Sequence, residues 1–136
     1  MVQTVKPGQI YQQTQYHKLG GESGVRRLVD TFYEVMDSLE SAQTIRGMHP
    51  QDLGQSREKL FLFLSGWLGG PELYIEKFGH PRMRGRHAPF AIGEAERDQW
   101  LLCMQTALQQ MGVEDAVQKE LMQAFHNIAD FMRNRE

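Results

Sequence analysis

The 136-residue sequence contains one cysteine, Cys103. That excludes an internal disulfide and a cysteine-built zinc site, and it fits a reducing compartment. No apolar run approaches the ~20 residues that a membrane-spanning helix requires. The opening residues, MVQTVKPGQIYQQTQY, lack the hydrophobic stretch of a secretory signal. Positive charge is not in excess either: 15 Lys and Arg stand against 17 Asp and Glu, a formal net charge of −2. General polyanion binding usually needs a broad basic face, so this balance argues against it. No segment alternates with the two-residue period of a strand. A cytoplasmic all-α protein is expected, monomer or homodimer, with neither nucleic acid nor membrane as partner.

Helical periodicity is abundant. Residues 1–15 are polar, glutamine-rich and aperiodic, and read as an N-terminal extension. After Gly20-Gly21, the residues Val25, Leu28, Val29, Phe32, Met36 and Leu39 recur at helical steps, with Glu22 placed to complement the dipole. Residues 40–48 predict at most one short helix ending near Gly47, before the break at Pro50. A second long helix is expected from Asp52, as N-cap, to about Leu68, stopped by Gly69-Gly70-Pro71. Pro71 suits the first position of a brief helix closed by Gly79. Trp100, Met104, Ala107, Leu108 and Met111 mark the next helix, ended by Gly112. Val113, Val117, Leu121, Phe125, Ile128 and Met132 mark the last, with Glu114 and Asp115 early and Arg133 and Arg135 late, matching the macrodipole. One domain over residues 16–132 follows, with a short tail at 133–136. The 7 Phe, 4 Tyr, 2 Trp and 8 Met can line an internal pocket or simply fill an irregular core.

One stretch resists this pattern. Residues 79–90, GHPRMRGRHAPF, hold two histidines, three arginines, two prolines, two glycines and no acid. Any helix containing His87 can be only about a turn long, because Pro89 lacks the N–H that a continuing helix would use. Four readings compete. A zinc site is poorly served, since His80 and His87 are seven residues apart and the lone cysteine is distant. Arg82, Arg84 and Arg86 can meet phosphates, but three arginines on an acidic chain bind weakly and lose to salt. A solvated basic loop is the bland alternative. An iron porphyrin is the fourth: it needs one imidazole, an apolar slot and cations near two propionates.

The combination of VDTFYEVM (29–36), GGPELYIEKFGHPRMRGRHAPF (69–90) and ERDQWLLCM (96–104) resembles the truncated haemoglobins of the second group. The resemblance covers roughly residues 16–132 and implies a two-over-two α-helical sandwich around haem b. On it, His87 matches the proximal histidine and Arg86 a propionate contact. Lys59 and Arg84 are further cations placed to reach propionates, and Phe63, Leu64, Tyr74, Phe78 and Met83 are expected to pack on the porphyrin. Tyr33 and Trp100 match the hydrogen-bonding residues of the ligand side. Ser56 and Leu60 match distal helix positions, and Leu60 offers no hydrogen bond. His49 is a departure, standing where the family commonly has Phe or Tyr. A histidine there can donate, accept or protonate near neutral pH, so ligand stabilisation is expected to respond to pH.

The expected function is reversible binding of O2, CO or nitric oxide at ferrous haem. A redox enzyme of nitric oxide dioxygenase or peroxidase-like type, fed by a reductase, would reuse the same pocket. A haem-free helical module whose loop binds an acidic partner stands apart from both. Cys103 is expected to be an inert core thiol.

Overall fold

The apolar stripe from Val25 to Met36 becomes the central helix of the molecule. In the computed structural model, which describes residues 14–135, it lies in α2 (Gly21–Ser38), with Val25, Leu28, Val29, Phe32 and Met36 wholly buried. Before it comes the single turn α1 (Gln15–Lys18), capped by the Thr14 hydroxyl, which accepts from the His17 amide at 3.1 Å. After it come a 3-10 turn (Glu40–Ala42) and α3 (Gln43–Arg46). Then follow α4 (Gly54–Trp67), α5 (Leu73–Phe78), α6 (Met83–His87), α7 (Glu94–Gln110) and α8 (Asp115–Phe131). No strand occurs among the described residues, and no helix among them is long and apolar enough to cross a membrane.

Helix α2 packs against both α4 and α7, and α8 packs against α7. The expected two-over-two sandwich is therefore present, with α2 and α4 as one pair and α7 and α8 as the other. Its core joins Phe32 and Met36 of α2 to Phe61 and Leu64 of α4, Met104 and Leu108 of α7, and Leu121 and Phe125 of α8. Cys103 is buried in that core, and burial pushes its thiol up to about 11. Helix α1 is tied across to the end of α4 by the Tyr16 amide, which donates to the Leu68 carbonyl at 2.9 Å. The α1–α2 corner depends on Gly24: a Cβ there would fall within the van der Waals radius of the Leu19 carbonyl oxygen.

Some boundaries differ from expectation. Asp52 is not the cap of α4, which begins two residues later; its carboxylate accepts from the Gly54 amide at 2.8 Å and closes a turn before the helix. Pro71 lies outside α5 for a similar reason, as the chain takes one more turn before Leu73. Arg133 and Arg135 lie beyond α8, whose last turn carries no basic residue. Arg133 pairs with Asp130 of α8 at 3.2 Å and Glu94 at 3.8 Å, and Arg135 donates to the Asn134 carbonyl at 2.9 Å. The extension read at residues 1–15 falls outside the described residues as far as residue 13.

The 79–90 stretch contains one short helix, as the prolines demand. Gly79 at φ 79° and Arg82 at φ 50° turn the chain into α6. A non-glycine residue in the left-handed region costs about 1 kcal/mol, so surrounding contacts must hold Arg82 there. No residue of α6 is fully buried.

Candidate functional site

A cavity of about 530 Å³ lies between α4, α6, α7 and the end of α8, within the size range of small-molecule and cofactor sites. Leu60, Phe63, Tyr74, Trp100 and Ile128 give it apolar and aromatic walls. Lys59 and Arg86 line it while remaining exposed, so they stand at its mouth. Two histidines enter it, His87 from α6 and His49 from the segment after α3.

Backbone carbonyls set the tautomer of both rings. His87 Nδ1 lies 2.7 Å from the Met83 carbonyl, one helical turn back. A carbonyl oxygen can only accept, so Nδ1 carries the hydrogen, and in the neutral tautomer Nε2 keeps its lone pair. His49 repeats the arrangement, with Nδ1 donating to the Ile45 carbonyl at 2.8 Å. Burial lowers the His49 pKa from 6.5; its bond to Ile45 opposes this, and the charges of Arg46 and His87 add to it. The ring is therefore neutral at pH 7 and presents an acceptor.

The two other hydrogen-bonding side chains of the cavity are unequal as donors. Tyr33 is 5% exposed and stacked edge-on against Phe32, at 5.0 Å between centroids, and against His49, at 5.7 Å. Burial holds its phenol far above the ordinary range, against a smaller opposing effect of the Arg57 charge, so it stays protonated. Its hydroxyl already donates to the Ser56 carbonyl, at a long 3.4 Å. Trp100 is gripped edge-on between Phe32 at 5.3 Å and Phe125 at 5.7 Å. Its indole N–H meets no acceptor among the described residues, although the residue lines the cavity. Trp100 is thus a standing donor, and Tyr33 a donor with a prior engagement.

A helical sandwich of this order thus brings an imidazole held by a backbone carbonyl and an unengaged indole N–H to one cavity. Residues 14–134 match the family described as bacterial-like globin. The group 2 truncated haemoglobin YjbI of Bacillus subtilis is 38% identical over 115 residues, covering 85% of each chain. Among solved structures, the group II 2-on-2 haemoglobin of Agrobacterium tumefaciens is 42% identical with a TM-score of 0.84, covering 99% of this chain and 98% of that one. A truncated oxygen-avid haemoglobin from Bacillus subtilis is 37% identical with a TM-score of 0.81, covering 90% of this chain and all of that one, 100%. The chain belongs to the group II truncated haemoglobins.

Membership of the globins implies haem, and the residues of this truncated haemoglobin fit it. The cavity is walled by the apolar and aromatic side chains of Leu60, Phe63, Tyr74 and Ile128. Lys59 has no ion pair among the described residues, so its charge is available to a carboxylate. Arg86 donates through Nε to the Pro81 carbonyl at 2.8 Å, its terminal nitrogens have no hydrogen-bond partner among the described residues, and its guanidinium sits 5.8 Å from the Tyr74 ring centre.

Most of the residues expected at the site meet there: Tyr33, His49, Ser56, Lys59, Leu60, Phe63, Tyr74, Met83, Arg86, His87 and Trp100 all line the cavity. Three do not. Leu64 is rotated about 100° from Phe63 on α4, and it is buried in the core instead. Phe78, at the end of α5, is exposed and packs outside against Tyr74 at 5.1 Å. Arg84 is likewise one step round α6 from Met83; it faces α8, where its guanidinium lies 5.3 Å from the Phe131 ring centre.

Other lining residues escaped sequence reasoning. Arg97 sits one turn before Trp100 on α7, so helical spacing alone could have placed it. Its charge is committed to Asp130 at 2.7 Å and Asp98 at 3.0 Å. Phe90 and Ile92 follow Pro89 in a loop without periodicity, and Ile128 and Met132 look like ordinary core positions; nothing local marks any of the four as cavity residues.

Proposed function

We propose that this protein holds haem b through His87 and reversibly binds O2, with CO and nitric oxide as further ligands. The observation that carries the reading is the Nδ1–H of His87 fixed on the Met83 carbonyl at 2.7 Å. An imidazole oriented by a backbone carbonyl is a neutral, well-aimed metal ligand. When bound there, ferrous haem supplies a coordination position for a diatomic ligand.

The chain does the rest. Lys59 and Arg86 would pair with the two propionate carboxylates, at a mouth where screening keeps each pair worth little more than about 1 kcal/mol. Trp100 offers its indole N–H to negative charge developing on a ligand, with no protein bond to break first. Tyr33 must lengthen or share its bond to Ser56 to do the same, which reduces its net contribution. His49, neutral with Nδ1 engaged, accepts and does not donate at pH 7. Phe32 and Tyr33 are buried, and Trp100 is half-buried against Phe32, so aromatic rings flank these groups. The oxygen-avid description of the Bacillus subtilis relative is in line with such a standing donor.

Absorption spectra test the reading: purified protein with added haem, oxidised, reduced and under CO, beside His87→Ala. A stoichiometric Soret band and a CO-sensitive ferrous form, lost or altered in the variant, are expected. No stoichiometric haem in the unmutated protein would overturn it.

A further inference from the structure

The segment after α8 is more than a tail. Its residue Asn134 makes the densest set of contacts to the loop that follows His87. The Asn134 side-chain oxygen accepts from the Ile92 amide at 2.9 Å, and its nitrogen donates to the Phe90 carbonyl at 2.8 Å and the His87 carbonyl at 3.3 Å. The backbone amides of Asn134 and Arg135 both donate to the Ile92 carbonyl, at 2.8 and 3.0 Å. Arg133 adds contacts to Asp130 at 3.2 Å and Glu94 at 3.8 Å, so the far end of the loop is tethered to the same segment.

These contacts matter because α6 is otherwise held only at its surface, by Arg84 over the Phe131 ring and Arg86 over the Tyr74 ring. None of its residues is fully buried, it is preceded by a left-handed arginine, and it is followed by Pro89. A ligand-bearing turn without a fully buried residue depends on hydrogen bonds from outside to set its position. The pairing is also chemically selective. The Ile92 N–H requires an acceptor and the Phe90 C=O requires a donor, within the span of one short side chain. A primary amide satisfies both; a carboxylate has no donor, and an alkyl group has neither. The bond to the carbonyl of His87 itself brings the clamp to the backbone of the proposed iron ligand.

We propose that Asn134 is a positioning residue for His87, fixing the depth and tilt of the imidazole beneath the haem by clamping residues 87–92 to the end of α8. The proposal rests on the haem reading above. Its test compares the full-length holoprotein with Asn134→Ala and Asn134→Asp, the second nearly isosteric but lacking the donor. The deciding readout is the iron–histidine stretching band of the ferrous, unliganded protein in resonance Raman spectra, supported by the rate of haem transfer to an excess of a scavenging apoglobin. Both variants are expected to shift or broaden the band and to release haem about tenfold faster, the effect of losing one to two hydrogen bonds. An unchanged band overturns the proposal, even if haem is lost faster or the melting point falls, because that pattern means general loosening of the fold. Absence of haem from the unmutated protein would instead sink the function and this inference together, so the two failures are distinguishable.

Discussion

A histidine in a pocket is defined by which nitrogen carries its hydrogen, and in this protein backbone carbonyls make that choice twice. For His49 the consequence is a pH dependence of definite sign. Its folded pKa lies below 6.5, for burial first and then the nearby charges of Arg46 and His87, against its bond to Ile45. Below about pH 6.5 the unfolded chain takes up the proton more readily than the folded one, so stability falls as pH falls through that region. The haem-free protein should therefore lose more thermal stability between about pH 7 and about pH 5 than His49→Phe does; equal losses would show that His49 is not the group responsible. Any pH response of ligand release is moved to the acid side by the same effect. The two distal donors differ as well. Trp100→Phe should speed O2 dissociation about tenfold, and Tyr33→Phe clearly less. Stopped-flow displacement of O2 by CO measures both, and the reverse ranking would mean that the Tyr33 hydroxyl turns fully from Ser56 to the ligand.

Helices in this fold earn their positions through one or two close approaches each. Gly24 lets α2 pass over the Leu19 carbonyl, and no side chain fits there without displacing backbone. Gly24→Ala should cost about 1–3 kcal/mol, as overpacking does, visible as a lower urea midpoint with an unchanged slope; a neutral result would mean that the α1–α2 corner is free to move. Helix α6 divides its arginines by face, Arg86 with His87 towards the cavity and Arg84 towards Phe131 of α8. Arg86→Ala is accordingly expected to accelerate haem loss about threefold, within the range of an exposed ion pair, while Arg84→Ala leaves it unchanged. Equal effects in a haem-transfer assay would place both side chains on propionates.

For the molecule as a whole, burial is uneven, deep where α2, α4, α7 and α8 meet and shallow at α6. The core shared by α2, α4, α7 and α8 is built of buried side chains, Tyr33 among them also facing the cavity, whereas α6 contributes no fully buried residue. A ligand that binds only the folded state stabilises it by mass action. Haem should thus raise the melting temperature by about 10 °C or more, with new amide protection concentrated in residues 83–92. Protection spread evenly over α2 and α7 would contradict this division. The same division explains what could be read along the chain. Helix periods, the Gly and Pro stops, and the long GGP to RHAPF to Trp100 spacing are local patterns, so the all-α sandwich, the family and the candidate His87 were legible before folding. Facing directions finer than a helical stripe were not: Leu64, Phe78 and Arg84 share the composition of a haem pocket yet turn away from it. Hydrogen-bond partners far apart in sequence were legible least of all. Asn134 reaches Ile92, Phe90 and His87 across 42, 44 and 47 residues, and no period or motif encodes such a meeting. Burial and register are written in neighbouring residues, whereas tautomer, donor availability and the clamp on α6 arise from atoms that only packing brings together.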